Sequence, residues 1–337
     1  MVEIFENYSL KDYNTFQVEA RANYFARCQS INELKELLAS SEFQQNSHFV
    51  LGGGSNLLFT TDFEGIIVYP DLRGLQILDQ TDSNIIIKVS NGEVWDNFVG
   101  YCVRNNYGGI ENLSWIPGKL GAVPVQNIGA YGAEAGDRIV EVEALEISTG
   151  KLKTFSNKEC KFGYRDSIFK NQEKENYIIV AVTFELIKDP PLITDYGGIE
   201  AKLKNYDQEN IQVMREIIID IRKNKLPDPD QIGNAGSFFK NPIVDQKKFE
   251  SIKEEYSKMP FYKLSSDRIK IPAGWIIEKC GWKGRTIGDA GVYEKQALII
   301  VNNGQATGQE IYELSQKIEA DVKAKFGIEL EREVQVL

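Results

Sequence analysis

One stretch does most to limit what this chain can fold into: Ile116-Pro117-Gly118-Lys119-Leu120-Gly121-Ala122-Val123-Pro124-Val125-Gln126-Asn127-Ile128-Gly129-Ala130-Tyr131-Gly132. Four glycines, two prolines, Gln126 and Asn127 fall within 17 residues. Prolines set the path, and glycines let backbone come close to a neighbour or a ligand. Gln126 and Asn127 supply paired donors and acceptors. The set suits a large, flat ligand rimmed with heteroatoms. A purely structural Ω-loop is the competing reading, but a loop this long without regular structure of its own is more often functional.

A second glycine turn lies upstream, in Val50-Leu51-Gly52-Gly53-Gly54-Ser55-Asn56-Leu57-Leu58. A dinucleotide fold of the Rossmann type needs G-x-G-x-x-G opening a helix. Here Leu57 stands where the third glycine belongs, and Phe59–Phe63 has no helical face. The lysine of a P-loop is also missing. Three adjacent glycines let backbone N–H groups approach a pyrophosphate; an ordinary strand–turn–strand connection fits equally well.

The chain has one histidine, His48, among 337 residues. A Ser-His-Asp triad or a site with several imidazole ligands is therefore nearly excluded. Proton chemistry must use Ser, Tyr, Lys, Glu or Asp, and His48, just before an apolar strand, reads as structural. Cys28, Cys102, Cys160 and Cys280 form no C-x-x-C pair, so all four read as buried thiols and no metal site is expected. A net charge of −10 argues against nucleic acid and anionic membranes as partners. It leaves room for an anionic small ligand, because charge is screened beyond about 8 Å. No apolar run is long enough to span a bilayer. Met1–Leu10 carries Glu3 and Glu6 without the order of a signal peptide, so a cytoplasmic protein is expected.

Length suggests about two domains at roughly 150 residues each. Ser30-Ile31-Asn32-Glu33 opens a short helix through a capping box. Phe49–Leu51, Ile66–Val68, Asn84–Ser90, Val140–Ile147 and Tyr177–Leu186 read as strands, and Val94–Asn106 and Gln208–Asn224 as helices. Lys225-Leu226-Pro227-Asp228-Pro229 breaks the second of these and marks a domain boundary. A last helix begins at the box Thr307-Gly308-Gln309-Glu310, buries Ile311, Leu314, Ile318, Val322 and Phe326, and stops at Gly327. The tail alternates as a strand does, with Ile328, Leu330, Val334 and Val336 opposite Glu329, Glu331 and Glu333. The irregular mixture is α+β and not a βαβ repeat.

The glycine turns resemble the flavin-binding loops of the UDP-N-acetylenolpyruvoylglucosamine reductase family. The likeness extends through Asn14-Thr15-Phe16, the block Cys160-Lys161-Phe162-Gly163-Tyr164-Arg165-Asp166-Ser167-Ile168-Phe169, Lys225-Leu226-Pro227, Asn234-Ala235-Gly236-Ser237-Phe238-Phe239-Lys240-Asn241-Pro242, Pro272-Ala273-Gly274-Trp275-Ile276-Ile277-Glu278 and Glu333. One such motif is weak evidence; six in order are strong. The resemblance implies an α+β chain with a two-subdomain FAD-binding module of the PCMH/vanillyl-alcohol-oxidase type and a C-terminal α+β substrate-binding domain. Residues 1–70 and 71–227 would be the two FAD subdomains and 228–327 the substrate domain, with 328–337 a C-terminal strand returning to the active site.

The implied reaction is NADPH-dependent reduction of UDP-N-acetylglucosamine enolpyruvate by a monomer in peptidoglycan precursor synthesis. Hydride addition leaves an enolate-like charge, which calls for donors at the carboxylate and an acid at the adjacent carbon. By the family pattern Arg165, Ser237 and Glu333 fill those roles. Arg165 offers a planar fork. Ser237 supplies the proton with help from a cation or a water. Glu333 suits the role as a hydrogen-bond donor. FAD contacts are expected from Gly52, Gly53, Gly54, Ser55, Asn56, Pro117, Gly118, Gly121, Ala122, Gln126, Asn127, Gly129, Ala130, Tyr131, Gly132 and Tyr164. Substrate contacts are expected from Lys225, Lys240, Asn241 and Tyr196, the last in a loop similar to one that closes over the substrate diphosphate in one subgroup.

The alternatives are an oxidase or dehydrogenase built on the same FAD domain, or a flavin-binding protein without turnover. Many of the oxidases bond flavin covalently to a histidine near the first glycine turn; here Ser55 and Asn56 occupy that turn. Noncovalent FAD is therefore expected. Acid or heat denaturation should release yellow flavin into the filtrate, and flavin that stays with the precipitated chain would contradict this.

Overall fold

Asn84–Ser90 alternates apolar and polar residues and buries Ile85, Ile87 and Val89 on one face, the period-two pattern of a strand. In the computed structural model, which describes residues 2–337, this strand lies within a six-stranded antiparallel sheet. The order is Leu152–Ser156, Ile139–Glu146, Tyr177–Lys188, Asn84–Ser90, Leu75–Gln80, with Tyr107–Gly108 paired to Tyr177–Lys188. Tyr177–Lys188 is buried almost throughout because each face meets a different core. Ile179, Val182, Phe184 and Leu186 pack with Trp95, Phe98 and Val99 of the helix Trp95–Arg104. Ile178 and Val180 pack with Leu34, Leu37 and Phe43. A strand sandwiched in this way reads as a continuous apolar run.

The chain divides into two compact units. One comprises Met1–Tyr8, Ala22–Gly53 and Glu64–Asn224; the other comprises Ser9–Arg21, Gly54–Phe63 and Lys225–Leu337. The first also holds a four-stranded sheet in the order Ile4–Ser9, Arg21–Cys28, Phe63–Pro70, His48–Val50. Its helix Ile31–Leu38 starts where Ser30 Oγ accepts from Glu33 N at 3.2 Å. Glu33 reaches back to Gln29 N at 2.6 Å, one residue before the cap. Helix Ile211–Lys225 starts three residues later than its sequence suggests. There Asn210 accepts from Val213 N through its side chain at 2.9 Å and from Met214 N through its carbonyl at 2.9 Å.

The second unit contains a four-stranded antiparallel sheet, Gly233–Ser237, Ile299–Asn302, Ala290–Val292 and Thr286–Ile287. Helix Gly308–Phe326 buries Ile311, Leu314, Ile318, Val322 and Phe326, has a reciprocal capping box at Thr307 and Glu310, and ends at left-handed Gly327. The tail departs from the sequence reading. Its backbone first bonds to Phe238–Lys240, with Glu333 N donating to Phe238 O at 2.8 Å and Lys240 N to Glu331 O at 2.8 Å. It then changes partner, and only Gln335–Val336 forms a strand, parallel to Leu57–Leu58. A chain that switches partners midway cannot keep one ladder. Glu329 and Glu331 are exposed while Glu333 is half-buried, so the three do not share one solvated face.

Among the described residues no helix is long and apolar enough to cross a membrane, and no cluster of three His, Cys, Asp or Glu could hold a metal. Cys28, Cys102 and Cys160 are buried, but Cys280 is not fully enclosed, because it caps the exposed end of helix Ala273–Lys279. Burial pushes the Cys28 thiol up to about 12, with the nearby Glu33 adding to the effect. Cys160 is likewise pushed up to about 12 by burial and Glu159, and burial raises Cys102 further. Thiolates are the reactive form. Burial raises the Cys280 thiol too, opposed by the charge of Lys325, so access decides: iodoacetamide at pH 8 should label Cys280 of the folded protein first, and the other three only after denaturation, as peptide mass spectrometry would show.

Candidate functional site

In the first unit the two glycine turns meet backbone to backbone. A Cβ on Gly53 would lie 2.7 Å from Gly118 Cα and 3.1 Å from Lys119 N, and one on Gly52 would lie 3.2 Å from Ala122 Cβ. The long loop is tied down along its first half. Gly118 O accepts from Trp95 N at 3.0 Å, Leu120 N donates to Glu93 O at 2.9 Å, and Gly121 N donates to Asn91 O at 2.9 Å. The Lys119 ammonium, 8 % exposed, turns inward onto the carboxylate of Asp71 at 2.6 Å and lies 3.9 Å above the Tyr69 ring. Asp71, 1 % exposed, also receives Arg27 and, at 2.7 Å, Arg73. Burial alone would raise the Asp71 carboxyl. Hydrogen bonds from Lys119 and Arg27, with the charges of Lys119 and Arg73, outweigh that and hold it below the usual range. The sequence marks position 71 only as a segment boundary, and an acid directly after an apolar strand is the signal that could have singled it out.

The second half of the loop hangs on Asn127. Its Nδ2 donates to Glu134 Oε2 at 2.7 Å and to Gly163 O at 3.0 Å, and its Oδ1 accepts from Gly136 N at 2.7 Å. That joins the loop to the Cys160–Phe169 block, and Ser167 Oγ adds a bond to Val125 O at 2.6 Å. Within the block Gly163 and Asp166 bond each other at 3.0 and 3.1 Å, which leaves Tyr164 and Arg165 at the tip of a tight turn. Arg165 has φ +54°, a conformation that costs an L-residue roughly 1–2 kcal/mol. Strain of this sort collects where a side chain must be aimed. Its guanidinium donates to Gly129 O at 2.6 Å and lies 5.4 Å from the Tyr164 ring, which is itself partly exposed.

Tyr131 and Gly132 close the loop. Gly132 has φ +83°, and a Cβ there would fall 2.5 Å from the Tyr196 ring. Asn112 Nδ2 spans the two segments, donating to Tyr131 O at 2.8 Å and Ile193 O at 3.0 Å. Tyr196 thus lies on the glycine loop, with much of its ring exposed. Burial raises the Tyr131 phenol, and a hydrogen bond with Arg222 partly offsets this. His48 packs its ring 4.8 Å from that of Phe43.

The second unit carries the other group of expected residues. Gly54 N-terminal to Ser55 and Asn56 has φ +65°, and a Cβ there would fall 2.0 Å from Tyr13 O. Asn56 Nδ2 donates to Glu333 O at 3.1 Å. Since Glu333 N bonds to Phe238 O, positions 56, 333 and the residue after Ser237 are brought together. Ser237 ends the strand Gly233–Ser237 and is half-buried. Lys240 pairs with the exposed carboxylate of Glu331, and Asn241 Oδ1 accepts from Ala273 N at 2.9 Å at the start of helix Ala273–Lys279. Lys225 is exposed at the end of helix Ile211–Lys225. Arg165 and Tyr196 belong to the first unit, Ser237 and Glu333 to the second.

Residues 22–156 match the family model described as FAD binding domain, and residues 228–337 that described as UDP-N-acetylenolpyruvoylglucosamine reductase, C-terminal domain. A UDP-N-acetylenolpyruvoylglucosamine reductase of Bacteroides fragilis is 47% identical over 332 residues, 98% of this chain and 99% of its own. One of Flavobacterium johnsoniae is 46% identical over 339 residues, covering both chains entirely. The crystal structure of UDP-N-acetylenolpyruvylglucosamine reductase from Thermus caldophilus aligns with a TM-score of 0.70 at 23% identity, over 100% of this chain and 98% of that one.

The tightness of the glycine contact can be measured. Gly53→Ala places a methyl against main chain that has no side chain to move aside, and should lower unfolding free energy by roughly 1–3 kcal/mol in urea titration. Gly163→Ala, whose nearest new neighbour would be Asp166 Cβ at 3.7 Å, serves as the contrast and should change it by less than about 1 kcal/mol.

Proposed function

The chain belongs to the UDP-N-acetylenolpyruvoylglucosamine reductase family, and on that footing we propose that it holds FAD on its paired glycine turns and protonates its substrate from Ser237. The activity is reduction of UDP-N-acetylglucosamine enolpyruvate in peptidoglycan synthesis, carried out with FAD. NADPH is the reductant in this reading. The observation that carries the flavin assignment is the approach of Gly53 to Gly118, with Gly52 beside Ala122. At Gly53 an added Cβ would collide with main chain and at Gly52 only with the small Ala122 methyl, and turns this bare suit a pyrophosphate and a flat ring. Held by these turns, FAD would supply two-electron hydride chemistry, with NADPH as the source of electrons and the enolpyruvyl group as their destination.

The remaining tasks fall to the chain's own groups. Arg165, held at a strained turn, directs a fixed fork of donors at the substrate carboxylate and stabilises the charge that grows there. Ser237 gives its proton to the carbon next to the carboxylate, and Glu333, with its main chain bonded beside Ser237, supports the transfer. Tyr196 covers the diphosphate, and Lys225, Lys240 and Asn241 contact substrate or NADPH. Gly52, Gly53, Gly54, Ser55, Asn56 and the loop from Pro117 to Gly132, with Tyr164, line the cofactor. In domain terms, 1–70 and 71–227 serve the flavin, 228–327 the substrate, and 328–337 completes the site. In this reading the protein is a cytoplasmic monomer, and a net charge of −10 disfavours nucleic acid and anionic membranes as partners.

Stopped-flow separation of the two half-reactions tests the role of Ser237. Ser237→Ala should still be reduced by NADPH, while reoxidation by the enolpyruvyl substrate slows by at least about 10²-fold, the scale of a lost general acid. Equal slowing of both halves would remove Ser237 from the role.

A further inference from the structure

The strand that carries Ser237 is irregular where it matters. Asn234 pairs with Val301 and Ser237 with Ile299, so three steps on one strand face two on the other. The extra residue is a bulge at Ala235–Gly236, with Gly236 at φ +69°. Bulges re-aim the side chain that follows and leave backbone groups outside the ladder. Those groups still need partners. Thr15 Oγ1 donates to Asn234 O at 2.6 Å, and Asn234 N donates to Thr15 O at 2.9 Å. Asn234 Oδ1, on a residue 5 % exposed, accepts from Gly236 N at 3.0 Å.

Thr15 is itself held on the other side. Its N–H donates to Gly54 O at 3.1 Å. The segment Tyr13–Phe16 is wedged between two glycines: a Cβ on Gly54 would fall 2.0 Å from Tyr13 O, and one on Gly233 would fall 2.3 Å from Phe16 O. Asn302 Nδ2 fixes Phe16 O at 2.9 Å. All of these residues lie in one compact unit.

We infer that Thr15 is a positioning residue for Ser237: its hydroxyl sets the bulge at Ala235–Gly236 and thereby the direction in which the serine points, referenced to the Gly54 turn. This rests on the reading of Ser237 as proton donor. Thr15 touches no reacting atom in this scheme; it acts through Asn234 and Gly236.

Thr15→Val keeps the shape and removes only the hydroxyl, and Thr15→Ser keeps the hydroxyl. Thr15→Val should slow reoxidation by substrate about tenfold, the scale of one buried hydrogen bond, and leave flavin reduction by NADPH within about twofold. Deuterium exchange over residues 233–238 should accelerate in the same variant. Thr15→Ser should restore both. The inference fails if Thr15→Val slows the two half-reactions alike, if exchange at 233–238 is unchanged, or if Thr15→Ser behaves as Thr15→Val. Ser237→Ala in parallel separates the two readings. If it slows reoxidation and Thr15→Val does not, only the positioning role is lost. If Ser237→Ala leaves reoxidation unchanged, both are lost.

Discussion

Main chain pressed against main chain is the constraint on which the rest of this structure depends. Gly53 meets Gly118, Gly54 meets Tyr13, and Gly233 meets Phe16, each at a distance that no side chain tolerates. Such contacts do two things at once. Within each compact unit they bring together segments distant in sequence, and they leave peptide groups where side chains would otherwise stand. Peptide N–H groups are donors with no protonation state, so a surface made of them suits a charged or heteroatom-rich ligand at any ordinary pH.

Contacts of this type have little apolar area to hold them, so buried polar groups take up the task. Asp71 anchors the front of the long loop through Lys119, Asn127 anchors its back through three hydrogen bonds, and Asn234 holds the approach to Ser237. Each is nearly sealed from solvent. In such surroundings a missing partner is costly, and a satisfied network defines one arrangement sharply. Asp71 also explains how a basic residue can sit in the long glycine loop without presenting its charge to the surface: the Lys119 ammonium is neutralised inside the fold.

Ser237, Glu333 and Asn56 illustrate how distant residues are assembled. A bulged strand end, a tail that changes partners and a glycine turn are joined by a few hydrogen bonds to the tail's main chain, from Glu333 N to Phe238 O, from Gln335 N to Asn56 O and from the Asn56 side chain, Nδ2, to Glu333 O. The tail's departure from a simple strand is part of this arrangement. By changing partners between Phe239 and Leu57 it places Glu333 at the crossing point, half-buried.

Periodicity and capping are local, and they were legible. The strand Asn84–Ser90, the helix from Thr307 to Gly327 with its buried face, and the break at Leu226-Pro227 follow from neighbours a few residues apart. The order of the glycine and Ser237 motifs likewise identified the family and its chemistry, because side-chain type at a given place in a motif is a property of sequence. What sequence could not supply was every relation between remote segments: that Asp71 receives Lys119, that Asn127 bridges to Gly163, that Thr15 completes a bulge more than two hundred residues away. These bonds depend on how elements pack, and packing is decided by the sum of many weak contacts across the fold, which no local pattern encodes.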